Sequence, residues 1–235
     1  MTVEEVINEI KAMGNERTKA TLMKHGAKEP FYGVKTGDLK KIQKKIKKDH
    51  ELSLQLYDSG VSDAMYLAGL IADKEKITPE HLQHWIENAT WYMISEYTVP
   101  WIAADSGHGI EMGIKWIESE EEMIASAGWS ALSNAISIAK DEDIDVNLHS
   151  NLLDRVQKQL QSSQNRVRYT MNGYVIAVGS YIPGLTDKAK KVADSIGKVN
   201  VDMGGTACKV PDAPSYIAKI ESMGRIGKKR KMARC

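Results

Sequence analysis

The sequence predicts an all-α fold built as a stack of antiparallel helix pairs. Three observations predict it. Apolar residues recur at helical spacing along most of the chain, beginning with Val3, Val6, Ile7, Ile10 and Met13. Residues that start and stop helices fall between these segments. Strand-type alternation is nearly absent before residue 198. The predicted helices run about 10–18 residues, and pairs recur roughly every 35–45 residues, a spacing that suits the HEAT-like class of α-α superhelix. A compact helical bundle is the alternative.

The elements follow in order. After the N-terminal amphipathic helix comes "KTGDLKKIQKKIKKDH", in which Leu39, Ile42 and Ile46 form an apolar stripe and lysines cover the rest. "GVSDAM" puts Ser62 at an N-cap after a glycine stop, ahead of Ala64, Leu67, Ala68 and Ile71. "ITPEHL" puts Thr78 at an N-cap, Pro79 at the first helical position and Glu80 in the first turn, where an acid complements the helix dipole. The next segment is "TWYMISEYTVPW", residues 90–101. On a helix Tyr92 and Glu96 share a face. Pro100 lacks the N–H that would bond the Glu96 carbonyl, so a local kink is expected.

"ESEEEM" sets Ser119 and three acids before the helix of Ile124, Ala127, Ala131, Ala135 and Ile138. Leu148, Leu152, Val156 and Leu160 mark another helix. The uncharged run over residues 169–186 is long enough to suggest a membrane span. It carries Asn172, Ser180, three glycines and Pro183, so it reads as a buried helix with a Pro-Gly stop. In "VNVDMGGTACKVP", residues 199–211, Val199, Val201 and Met203 alternate with polar residues around Gly204-Gly205. A short hairpin or extended loop is expected there. The short helix "APSYIAKIESMG" follows. Residues 1–224 are therefore expected to form a single helical-repeat domain, and 225–235 a basic tail.

Composition narrows the function. Net charge is +1, so binding to a polyanion has to come from local patches. Two cysteines, Cys208 and Cys235, do not make a disulfide framework. The acidic, amphipathic start is not a signal peptide, and the expected location is cytoplasmic. His81 and His84 lack a completing acid or cysteine, so no metal is expected. No glycine-rich phosphate loop follows a strand, so no nucleotide or other cofactor is expected. Cys208 beside Lys209 reads as an ordinary exposed or packed thiol.

Two basic clusters stand out. Lys40, Lys41, Lys44 and Lys45 lie in the lysine helix, and Lys228, Lys229 and Arg230 in the tail. Such clusters bind backbone phosphates by counterion release. The bland reading is a solvated helix face and a frayed tail. Arg166 and Arg168 lie near a predicted helix start, where free N–H groups can share a phosphate with them. For Glu96 the bland reading is a surface Tyr-Glu pair beside a tolerated proline.

The strings "ATWYMISEYTVPW", "GDLKKIQKKIKK", "AMYLAGLIAD", "DMGGTACKVPDAPSYIAKIE" and "GRIGKKRKMARC" resemble the AlkD-like family of DNA alkylation repair proteins, and the likeness covers most of the chain. The resemblance implies HEAT-like repeats around double-stranded DNA. It also implies a glycosylase that releases alkylated purines such as 3-methyladenine or 7-methylguanine, with an aspartate flanked by aromatic residues. Carried over, the acid falls on Glu96, and the aromatics fall on Tyr92, Trp91 and Tyr174. A basic residue expected in "MIASAGWSAL" is replaced by Ser126. Glutamate for aspartate and tyrosine for tryptophan leave two outcomes open, an altered glycosylase or a non-catalytic binder of branched or damaged DNA. A protein-interaction solenoid is a third reading.

Overall fold

The computed structural model describes residues 1–234, and within them every regular element is helical. The N-terminal part holds α1 (Val3–Ala12), α2 (Glu16–Lys24), α3 (Thr36–Ile46), α4 (His50–Asp58), α5 (Ser62–Ile71) and α6 (Pro79–Glu87). A π-helical turn (Met93–Thr98) runs directly into α7 (Val99–Asp105). Then come α8 (Gly109–Trp116), α9 (Glu122–Ile138), α10 (Val146–Gln159), α11 (Asn165–Tyr181), α12 (Thr186–Ile196) and α13 (Ala213–Ser222).

Local chemistry sets most of the boundaries. Thr2 and Glu5 form a reciprocal capping box at α1. Asp49, Asp145 and Asp212 accept backbone N–H bonds at the starts of α4, α10 and α13. Thr78 caps α6 with Pro79 behind it, and the His81 ring returns a bond to the cap. Ser62 is not the cap of α5. Val61 holds that position, and the Ser62 hydroxyl lies 2.8 Å from that of Thr90. At α9 the cap position is held by Glu121, and Ser119 accepts from its N–H.

The helices pair as α4 with α5, α6 with α7, α8 with α9, and α10 with α11. The second members pack side by side, so α5, the π turn with α7, α9 and α11 make one row. Helix α9 joins the two halves of the core. Ala127 and Ala131 face the N-terminal half, while Trp129, Leu132 and Ile136 face the C-terminal half. Gly128 lets α8 approach closely, since a Cβ there would stand 2.6 Å from the Ile117 backbone nitrogen. The uncharged run over residues 169–186 is the buried part of α11 and its stop, and among the described residues no helix is long and apolar enough to cross a membrane.

Residues 199–211 form an extended loop, not a hairpin. Gly204 and Gly205 turn it with φ of 69° and 71°, but neither arm pairs with the other. The Asn165 side chain instead ties the loop to α11 through both backbone groups of Asp202.

Residues 225–234 fold back as a strap rather than fray. The Gly227 N–H donates to Ser180 O, that of Arg230 to Ser137 O, and that of Ala233 to Asp105 Oδ1. Arg234 Nη1 donates to Leu70 O. These acceptors lie at the C-terminal ends of α11, α9, α7 and α5, so the strap crosses the row from last helix to first. Aligned helix dipoles leave partial negative charge at those ends, and a basic segment complements them. Lys229 Nζ meets Tyr181 O at 2.6 Å and Asp141 at 3.1 Å.

Candidate functional site

The expected kink at Pro100 takes the form of the π turn. Pro100 offers no N–H to Glu96, and the Val99 N–H reaches back five residues to Ile94 O. The wider turn directs Glu96 into the protein, where its side chain is 2% exposed. A lone carboxylate at that depth would be strongly disfavoured.

Arg166, from the first turn of α11, meets it. Nε donates to Oε1 at 2.7 Å and Nη2 to Oε2 at 2.5 Å, a bidentate fork. The guanidinium carbon lies 4.4 Å from the ring centroids of both Tyr92 and Tyr169. Glu96 and two aromatic faces thus surround one cation. Burial pushes the Glu96 carboxyl up, while Arg166 and the buried Ser126 hydroxyl pull against that rise. The Arg166 backbone N–H donates to Glu122 at 2.7 Å, and its Nη1 contacts the Met203 sulfur in the 199–211 loop. The Tyr92 hydroxyl is 3.0 Å from His25 Nδ1.

Beside this group opens a cleft of 440 Å³, with Tyr66, Glu96, Tyr97, Trp101, Asn134 and Tyr169 among its lining residues. Arg230 of the strap lines the same cleft.

The remaining sequence-derived candidates are dispersed. Trp91 is buried and lines a separate apolar cleft of 240 Å³ with Phe31, Val34 and Leu39. Tyr174 is fully buried, packs on Trp129, and bonds His149 Nδ1 at 2.7 Å. The cleft wall at that point is Gly173. Arg168 is half-buried, and its Nη2 donates to Asn165 Oδ1 at 3.4 Å. Lys41 and Lys45 are exposed and pair with Asp38 and Glu9. Lys40, Lys44 and Lys228 are exposed cations as well. Lys229 is held against helix ends. His84 pairs with Asp58, His81 serves the α6 cap, and no cluster of metal-ligating side chains forms among the described residues. Cys208 is exposed, and Cys235 lies outside the described residues.

The Tyr174–His149 pair has a measurable signature. Burial pushes His149 down from 6.5 to about 4, although Asp145 opposes the shift. Between those values the unfolded chain binds a proton that the folded chain refuses. The stability held above pH 6.5 therefore declines as pH falls through the window, by on the order of 3 kcal/mol in total. Urea midpoints of His149→Gln, which keeps a partner for Tyr174, should lack that decline.

Sequence reading missed Tyr169, Tyr97 and Glu122. Tyr169 stands three residues after Arg166, so helical spacing could have placed both on one face. No local signal links Arg166 to Glu96.

A family model described as "DNA alkylation repair enzyme" matches residues 6–191. Uncharacterized protein Lin0241 of Listeria innocua is 37% identical over 228 residues, covering 94% of this chain and 98% of that protein. Uncharacterized protein Lmo0209 of Listeria monocytogenes is 36% identical over 228 residues with the same coverage. A solved structure described as "a new family of proteins related to the HEAT-like repeat DNA glycosylases with affinity for branched DNA structures" superposes with a TM-score of 0.91. It is 36% identical and covers 100% of both chains.

Proposed function

Because the chain belongs to the DNA alkylation repair enzyme family, we propose that it is a DNA-binding HEAT-like repeat protein that prefers branched DNA and does not excise alkylated purines. The observation that carries this reading is the closed Glu96–Arg166 pair. A glycosylase carboxylate has to face a deoxyribose that becomes cationic as the base departs. At Glu96 that space holds the protein's own guanidinium, which bonds both carboxylate oxygens and sits between the Tyr92 and Tyr169 rings. The group suited to hold a substrate cation is occupied by an internal one.

Binding is supported by charge. Lys40, Lys44 and Lys228 are exposed cations, and Arg230 lines the cleft next to the pair. The superposing structure is described as having affinity for branched DNA. Phosphate contacts of this type fix position without reading sequence.

The test is to incubate methylated DNA with excess protein and to measure binding to a three-way junction and a linear duplex of equal length. No free methylpurine and tighter binding to the junction are expected. Release of methylpurine would overturn the non-catalytic half. Equal or absent binding would overturn the branched-DNA half.

A further inference from the structure

The end of the lysine-rich helix segment and the last residues of the basic strap, far apart in sequence, meet in a third cleft. It has a volume of 310 Å³ and lies where the end of α3 meets the end of α5 and the strap. Lys47 and Lys48 enter from the α3 end, Lys74 from the turn after α5, and Lys231 and Arg234 from the strap. Asp105 is the acid in its lining, and its Oδ1 already accepts the Ala233 N–H at 2.8 Å. Lys48 pairs with Asp73, Lys74 lies 3.7 Å from the exposed Glu75, and Arg234 is anchored on Leu70 O. Among the described residues, Lys47 and Lys231 are exposed and make no ion pair.

A second feature points the same way. Lys47 has φ 66° and ψ −102°, and among the described residues it is the non-glycine residue with positive φ. A glycine would adopt this conformation without strain. The strained turn ends α3 at the cleft and places Lys47 in its lining. Strain of this kind gathers at ligand-holding positions.

Charge capping of helix ends accounts for Lys229 and Arg234, which bond terminal carbonyls. It does not account for Lys47, Lys74 and Lys231, which surround open space. We infer that this cleft is a phosphate-binding site that takes one phosphodiester group of a bound nucleic acid strand. The inference rests on the DNA-binding reading for the source of the phosphate. The chemistry is that of several flexible ammonium groups and a fixed guanidinium around one anion.

The test uses the full chain and the triple variant Lys47→Gly, Lys74→Ala, Lys231→Ala. Glycine suits the local backbone, and none of the three side chains supports the core. Inorganic pyrophosphate should shift the amide resonances of Met232 and Arg234 in the unmodified protein, saturably, and not in the variant. Absence of those shifts in the unmodified protein would overturn the site. On duplex DNA the variant should lose affinity about tenfold at low salt, and its dependence of log affinity on log salt should flatten by about 1. An unchanged slope, with duplex still bound, would overturn the nucleic-acid assignment. Should the unmodified protein bind pyrophosphate but no DNA at any salt concentration, the phosphate site stands while its nucleic-acid source and the DNA-binding reading both fall.

Discussion

Arg166→Met should lower the free energy of unfolding by about 3–5 kcal/mol, the range seen when one partner of a buried ion pair is removed. For a chain of this length that corresponds to a fall in Tm of roughly 6–20 °C. The cause is the carboxylate left behind. Glu96 is 2% exposed and accepts both of its charge-assisted bonds from Arg166. The introduced thioether side chain would fill much of the volume between the Tyr92 and Tyr169 rings but would donate nothing.

The double variant Glu96→Leu, Arg166→Met should recover most of the loss, because two apolar groups replace two charges that had to be desolvated. Titration gives an independent check. Without Arg166, burial raises the Glu96 carboxyl further above its ordinary 4.5. A carboxyl raised in the folded state favours folding when protonated, and that contribution is lost as pH rises. The deficit of Arg166→Met should therefore be largest near neutral pH and shrink as pH falls toward 4.5. Urea midpoints at several pH values measure it. A deficit independent of pH would mean that the loss comes from packing.

The second large effect concerns salt. A protein that neutralises about five phosphates loses roughly 500-fold in affinity between about 50 and 200 mM salt. In the proposed DNA-binding reading Lys40, Lys44, Lys228 and Arg230 take one phosphate each, and the cations around Lys47 take a fifth. Replacing Lys40, Lys44, Lys228 and Arg230 together with glutamine should flatten the slope of log affinity against log salt by about 3–4. Charge replacement is preferable to deleting the strap. The strap buries Ala233 and bonds the ends of four helices, so deletion would mix binding with folding. Fluorescence anisotropy with a labelled junction across a salt series measures both slopes. Equal slopes would place the DNA contacts elsewhere on the surface.

Much of the fold was legible because helix signals are local. Thr78-Pro79-Glu80 starts α6 through contacts within one turn, and the Pro-Gly stop after α11 acts in the same way. The apolar stripe of α3 reads directly as its buried face, with Leu39 and Ile42 in the core. Ser62 misled because a serine after a glycine looks like a cap, while its hydroxyl is drawn to Thr90, 28 residues away. The hairpin alternative for 199–211 failed for a similar reason. Alternation and a Gly-Gly turn permit a ladder, but the backbone groups of Asp202 are taken by Asn165.

Local signals were enough to place the helices, to favour their pairing into a HEAT-like superhelix over a compact bundle, and to mark an acid among aromatics next to a helix-disturbing proline. Spacing and proline geometry decide those matters over a few residues. What the acid faces was decided at the level of packing. Glu96 and Arg166 are 70 residues apart, and the resemblance had assigned one to catalysis while charge had assigned the other to DNA. Packing likewise moved Tyr174 into the core against His149, turned an expected tail into a strap, and brought Lys47 to Lys231 and Arg234. Periodicity records which face of a helix is buried. It does not record which distant side chain will arrive there, because that depends on how the whole row of helices packs.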